Sequence, residues 1–272
     1  LSFQDLDALA VTNGPGLVGA LLVGVSYAKG LAYSLKVPLV AVNHIEAHIY
    51  ANFLNAEPPQ FPLVCLIVSG GHSDIIYMPK HGEYQVLGRT RDDAAGETFD
   101  KVARVLGLPY PGGPHLEQLA AQGVASIVFP RAKLEQGSLD FSFSGLKSAV
   151  TNYVNSMQQK REEFSKANVA ASFQEALIDS LATNTMQAIA NTGVHQLCIA
   201  GGVSANAALR QELLTRAARQ GYKVTLPLLK YCTDNAAMVG ALAFHRLEAG
   251  MIAPLNLNAH AHSPIISWGK ES

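Results

Sequence analysis

The sequence predicts an α/β fold, on three observations. Its front alternates strand, helix, strand and helix, an order that implies a parallel layer covered by helices. Short, wholly apolar runs recur and several end in glycine turns, as strands buried on both faces do. The 272 residues are 49% hydrophobic and 15% charged with net charge −1, the balance of a globular enzyme long enough for two modest domains. Charge near neutrality argues against a freestanding, strongly basic nucleic-acid binder, though not against RNA held by a local patch or with a partner. The apolar runs are broken by Gly, Pro or charge, so neither a membrane span nor a secretory signal is expected. Cys65, Cys198 and Cys232 form no Cys-x-x-Cys pair, so reduced, buried thiols in a cytosol are expected.

The chain opens on Leu1 rather than Met and enters a strand almost at once, which reads as a fragment that has lost N-terminal sequence. A short strand over 9–11 is broken by Asn13-Gly14-Pro15-Gly16. A helix over 18–35 follows, whose Gly19, Ala20, Gly24 and Ala28 permit close packing. A second strand spans 37–42 and a second helix 45–54. The prolines at 58, 59 and 62 continue neither kind of element and mark a linker. Strand 63–68, the turn Ser69-Gly70-Gly71-His72-Ser73 and strand 74–78 predict an antiparallel hairpin with backbone amides open to a ligand. Residues 93–106 predict a helix with Asp93 as N-cap and Val102, Val105 and Leu106 on its apolar face. Tyr110-Pro111-Gly112-Gly113-Pro114 is a rigid loop before a short helix over 116–121, and 129–142 is irregular. Helices over 146–157 and 168–191 lead to strand 196–200, a Gly201-Gly202 turn, helix 206–220, strand 222–226 and helix 235–249.

The most informative run is His44-Ile45-Glu46-Ala47-His48. On a helix, positions 44 and 48 lie about 40° apart, so both imidazoles can address one ion, whereas Glu46 falls about 200° round from His44 and faces away. The zinc-protease pattern His-Glu-x-x-His instead puts its carboxylate directly after the first histidine. A metalloprotease is therefore disfavoured, and two histidines on an ordinary helical face remain the plain alternative. Asp234 would complete a set of two histidines and one carboxylate with open positions, or serve only as a helix cap. Gly70-Gly71 and Gly201-Gly202 each follow an apolar strand and can offer unhindered N–H groups to phosphate. The second runs toward a helix N-terminus, which favours anions, with Asn206 as an alternative cap. Neither is a Walker loop or a Gly-x-Gly-x-x-Gly fingerprint. Asp100 is either half of an exposed pair with Arg104, worth ~0.3–0.5 kcal/mol, or a carboxylate for sugar hydroxyls with Gly113 closing its pocket.

Eight motifs appear in order: Asn13-Gly14-Pro15-Gly16-Leu17, Asn43-His44-Ile45-Glu46-Ala47-His48, Val68-Ser69-Gly70-Gly71-His72, DDAAGETFDK at 92–101, YPGGP at 110–114, DFSFSGLK at 140–147, GGVSAN at 201–206 and CTDN at 232–235. Together they resemble the tRNA N(6)-adenosine threonylcarbamoyltransferase family of bacterial type, once labelled O-sialoglycoprotein endopeptidases. The resemblance covers almost the whole chain. It implies the actin/hexokinase/Hsp70-like (ASKHA) fold of two RNase H-like lobes with a nucleotide between them. Residues 1–62 would be the remnant of the N-terminal lobe, 63–251 the C-terminal lobe and 252–272 a tail returning to the first lobe.

By the same resemblance, His44, His48 and Asp234 match the metal ligands. Ile67, Val68, Ser69, Gly70, Gly71, Asp100, Gly113, Glu117 and Asn206 match the nucleotide and substrate contacts. Iron or zinc suits such a set, with Fe(2+) favoured, and an adenine nucleotide or threonylcarbamoyl-AMP would occupy the cleft. The implied activity is transfer of the threonylcarbamoyl group to the adenosine beside the anticodon of tRNAs reading ANN codons, in the cytoplasm. The implied partners are tRNA, a smaller paralogue of the same fold and a P-loop ATPase; the small residues of helix 18–35 suit either a docking face for a partner or close packing on the parent sheet alone. An actin-fold small-molecule kinase and a non-catalytic paralogue scaffold are the alternatives. Family members begin with a Gly-Ile-Glu-Thr-Ser-like loop and further strands, and this sequence has none of them.

Overall fold

The computed structural model describes residues 2–132 and 134–269. Position 1 and positions 270–272, the ends of the expected N-terminal remnant and returning tail, lie outside the described residues. The first layer is a parallel pair, β1 (Leu9–Gly14) and β2 (Leu39–Asn43), joined by α1 (Val18–Leu35). Ala28 and Ala32 of α1 pack with Leu39 against Leu9 and Val11. At 18 residues and mean hydropathy 1.3, α1 is the one described helix long and apolar enough to cross a membrane, by length and composition alone. Only 17% of it is buried, and Lys29 Nζ donates to the Leu257 carbonyl.

α2 (His44–Tyr50) follows β2 directly and ends in a 3-10 turn, Ala51–Leu54. The main sheet has five strands: β3 (Leu63–Val68), β4 (Ser73–Met78), β5 (Gln85–Arg89), β6 (Gln196–Ala200) and β7 (Lys223–Thr225), in the order β5-β4-β3-β6-β7. β3 pairs antiparallel with β4 and parallel with β6. Because side chains alternate along a strand, β3 feeds two cores. Val64, Leu66 and Val68 face one, while Leu63, Cys65 and Ile67 face the other. That two-sided burial is why the sequence of β3 is an unbroken apolar run.

The first core is covered by α3 (Ala95–Val105), α4 (Gly112–Ala120), α5 (Ser144–Lys160), α6 (Lys166–Thr192) and α7 (Ala207–Gln220). The second is covered by α2 and α8 (Ala236–Glu248), and it also takes in Val40 and Val42 of β2. One apolar core therefore joins the two sheets. The tail closes the first layer: the Ala253 amide donates to the Leu39 carbonyl, the His260 amide to the Asn13 carbonyl and the Gly16 amide to the Ala261 carbonyl.

Two local expectations change. α3 starts at Ala95 with Ala94 in the cap position, because the Asp93 carboxylate is taken by Lys101 at 2.7 Å and Lys147 at 2.6 Å. β5 has no clear signature in the sequence, since Gln85 and Arg89 are exposed edge residues. Its Gly88 is required by a close neighbour, as a Cβ there would lie 2.3 Å from the Leu139 carbonyl oxygen. Cys65, Cys198 and Cys232 are buried and form no disulfide.

Candidate metal centre and nucleotide cleft

α2 begins where β2 ends because Asn43 caps it, its Oδ1 accepting from the Ile45 and Glu46 amides at 2.9 and 3.1 Å. The Asn43 Nδ2 donates to the Ser263 carbonyl at 3.0 Å, tying the helix start to the tail. One turn of helix then brings His44 and His48 together, their ring centroids 4.7 Å apart and edge-to-face. Asp234 arrives from the far end of the chain, placed by the start of α8, where Asn235 rather than Asp234 is the cap. Asp234 Oδ1 lies 3.4 Å from His44 Nε2 and 3.2 Å from His48 Nε2.

These separations suit a shared ion. With metal–ligand bonds of about 2.0–2.2 Å, tetrahedral donors sit roughly 3.3–3.6 Å apart. The donor atoms of the three side chains all fall within 4.8 Å of one another, and they form a set of two histidines and one carboxylate. His48 is 3% exposed, and its Nδ1 has no partner among the described residues. Burial and the neighbouring His48 hold the His44 imidazole below its ordinary range, which keeps its nitrogens free to ligate. A hydrogen bond from His48 holds Asp234 below the usual carboxylate range.

Glu46 plays no part in that group. It points into the protein at 1% exposure, where its Oε2 accepts from Arg246 Nη2 at 2.7 Å and its Oε1 from Trp268 Nε1 at 2.7 Å and from the Tyr84 hydroxyl.

The same cavity, about 900 Å³, is lined by Gly70, Gly71, Gly202 and Tyr110 beside the two histidines and Asp234. A Cβ at Gly70, Gly71, Gly113 or Gly202 would meet nothing within 4 Å, so no protein atom explains these glycines and their faces stand open to a ligand. Gly96 and Gly201 differ. A Cβ on Gly96 would fall 2.6 Å from the Ser69 carbonyl oxygen, and one on Gly201, at φ +87°, would fall 2.4 Å from that of Val68. These contacts press α3 and the end of β6 against the first glycine turn. The second turn does not run straight into a helix as its sequence suggests, because a 3-10 turn, Gly202–Ala205, intervenes before α7.

Ile67 and Val68 are fully buried in β3, and Ser69 Oγ accepts from the His72 amide. Asp100 does not pair with Arg104. Its Oδ1 accepts from the Gly112 and Gly113 amides at 2.7 and 3.3 Å, anchoring the start of α4. Glu117 Oε1 accepts from the Ala207 amide at 2.7 Å, linking α4 to α7, and Asn206 caps α7 while donating to Gln174 Oε1. Asp100, Gly113, Glu117 and Asn206 thus form one connected row, with Asp100 Oδ2 and Glu117 Oε2 unpartnered among the described residues.

Sequence reasoning left Tyr110, Thr233 and His262 unassigned, yet all three line the cavity. Tyr110 and Thr233 lay inside quoted motifs. His262 gave no signal, because only the returning tail brings it there.

A two-layered α/β body in which two histidines and a carboxylate that could hold an ion open onto glycine turns has the actin-like fold. Among solved structures, full-length HypF in a phosphate- and nucleotide-bound form aligns with TM-score 0.67 at 15% identity, over 90% of this chain and 47% of HypF. HypF of T. kodakarensis aligns with TM-score 0.64 at 15% identity, over 89% of this chain and 41% of that one. A family model for tRNA N6-adenosine threonylcarbamoyltransferase matches residues 1–241, and the chain belongs to that family. Relatives carrying that name include proteins of Moorella thermoacetica, 54% identical over 97% of this chain and 78% of theirs, and Clostridium perfringens, 52% identical over 95% and 77%. The Staphylococcus carnosus relative is 51% identical over 99% of this chain and 78% of its own length.

Proposed function

We propose that this protein transfers the threonylcarbamoyl group of threonylcarbamoyl-AMP to the N6 amine of the adenosine beside the anticodon in tRNAs reading ANN codons. The observation that carries the reading is the convergence of His44, His48 and Asp234 on one point beside the open Gly70-Gly71 turn, within a chain of this family. The adenine amine is a poor nucleophile because its lone pair is delocalised into the ring. The donor must therefore be activated and held. His44, His48 and Asp234 would hold a divalent ion, Fe(2+) ahead of Zn(2+), which when bound supplies Lewis acidity and a template for donor oxygens. The Gly70, Gly71 and Gly202 backbone would receive the phosphate, and Asp100 Oδ2 and Glu117 Oε2 the ribose hydroxyls, with Gly113 and Asn206 closing that end. Ile67, Val68 and Ser69 fix the height of the first turn against the sheet.

In this reading residues 1–62 belong to an N-terminal lobe, 63–251 to a C-terminal lobe and 252–272 to a tail returning to the first. The protein works in the cytoplasm with tRNA, a smaller paralogue of the same fold and a P-loop ATPase. The exposed apolar side chains of α1, Leu22, Val23 and Tyr27 among them, suit it as the docking face for the paralogue.

The test is mass spectrometry of nucleosides from ANN-reading tRNA incubated with metal-loaded protein, its partners and the donor. Threonylcarbamoyladenosine is expected with the parent chain and lost in H44A and H48A. Full activity in both variants would overturn the metal role, and ATP-dependent phosphorylation of a small molecule without tRNA modification would favour the kinase alternative.

A further inference from the structure

We propose that Tyr110 is the platform on which the acceptor adenine of the RNA stacks, presenting its amine edge to the metal-lined cavity. The inference rests on the transferase reading above and adds the residue that positions the nucleophile. Tyr110 is 82% exposed. A single exposed ring is ordinary on a protein surface, but the place of this one is not. Among the described residues it is the only exposed Phe, Tyr or Trp lining the cavity that holds His44, His48 and Asp234, where the exposed imidazole of His262 also lies. The other exposed aromatics include Tyr27 and Tyr33 on α1 and Phe244 on α8. The Tyr110 ring packs on no aromatic neighbour, and its hydroxyl has no hydrogen-bond partner among the described residues.

The backbone beneath the ring is held firmly. Gly112 and Gly113 are bound to Asp100 Oδ1, and Gly112 sits so close to α3 that a Cβ would fall 2.5 Å from that of Ala103. A rigid loop carrying a free aromatic face costs little ordering entropy when a flat ligand arrives. RNA-modifying and RNA-binding proteins capture single-stranded bases by stacking on such rings.

Two adenines enter the reaction, and the lining residues separate them. Asp100, Glu117 and Asn206, which form the row assigned to the donor nucleotide, do not line the cavity that Tyr110 shares with the metal ligands. The ring therefore faces the end where the amine must meet the acyl carbon. The donor adenine lies along the row that ends at α7.

The experiment compares Y110A, Y110F and Y110W in the complete, metal-loaded complex. It uses three probes: ANN-reading tRNA for kinetics, the same tRNA carrying 2-aminopurine at the acceptor position for fluorescence, and AMP for nucleotide affinity. Loss of one stacked base predicts that Y110A raises KM for tRNA about 5-fold to 150-fold, with AMP affinity unchanged. The bound 2-aminopurine should be quenched by the parent, Y110F and Y110W and remain bright in Y110A. Unchanged KM and quenching in Y110A would overturn the proposal. So would weakened AMP binding with unchanged tRNA KM, which would give the ring to the donor. If the parent complex modifies no tRNA, the transferase reading itself falls, a result that differs from every variant-specific outcome.

Discussion

Removing the Glu46 carboxylate should destabilise the fold while leaving the metal group intact, although Glu46 lies between the two histidines. Its side chain is 1% exposed and faces Arg246, which is itself only 8% exposed. Burial pushes the Glu46 carboxyl upward, and Arg246, Tyr84 and Trp268 pull it back by charge and hydrogen bonds. Arg246 also donates from Nη1 to the Ala41 carbonyl at 2.9 Å, and its guanidinium sits 5.8 Å from the centre of the Trp268 ring. Glu46→Ala leaves that guanidinium charged, buried and without its counter-ion, a change that costs about 3–5 kcal/mol. The entropy of unfolding is about 2.1 cal/mol/K per residue. Over 272 residues this becomes a fall in Tm of about 5–9 °C. Glu46→Gln keeps an acceptor for Tyr84 and Trp268 but not the charge, so it should lie between parent and Glu46→Ala. Circular dichroism during heat or urea unfolding measures the loss, and elemental analysis of the refolded variants measures the bound metal. A Glu46→Ala protein within about 1 kcal/mol of the parent would refute the energetic argument. A Glu46→Gln protein of parental stability that holds no metal would show that the carboxylate is a ligand after all.

Other outcomes follow from the same geometry. His44→Ala should abolish stoichiometric metal binding by elemental analysis while changing unfolding free energy by less than about 1 kcal/mol, since its side chain lines the cavity and belongs to neither apolar core. Asn206→Ala should weaken AMP binding in calorimetry and also cost about 1 kcal/mol of stability, because Asn206 Oδ1 caps α7 by accepting from the Leu209 amide at 2.9 Å. Metal content should be untouched, and unchanged AMP affinity would remove Asn206 from the nucleotide site. The stacked His81 and His245 rings, 4.0 Å apart, lie among Tyr50, Phe53, Phe61 and Glu248. Burial pushes His81 down to about 4 and lowers His245 as well. The native state therefore binds fewer protons than the unfolded chain. The stability these rings contribute is complete above the unfolded value near 6.5 and is lost as pH falls from there toward 4. For partly exposed rings this amounts to about 1–2 kcal/mol. His81→Phe should flatten that slope in urea titrations across the range, and an unchanged slope would exclude the pair as its source.

The sequence by itself determined the elements whose physics is local. β3 was legible because burial on both faces demands an unbroken apolar run, and α2 because Asn43 caps it and two histidines one turn apart must share a face. The motif order also carried the family, and it singled out His44, His48 and Asp234, which the fold brings together. Tertiary structure alone decided what depends on distant partners. Asp100 could have been half of a helix-surface pair, but the first turn of α4 offers it the Gly112 and Gly113 amides, a stronger use of a partly buried carboxylate. Asp93 looked like a cap, but Lys101 and Lys147 take its carboxylate. The edge strand β5 escaped notice because an edge needs no apolar alternation, only a neighbour with free hydrogen bonds. Glu46 reads in sequence only as facing away from the ion. Arg246 and Trp268, about 200 residues later in the chain, decide that it is a buried anchor, because a charge is tolerated inside a protein only where the fold brings it an opposite one.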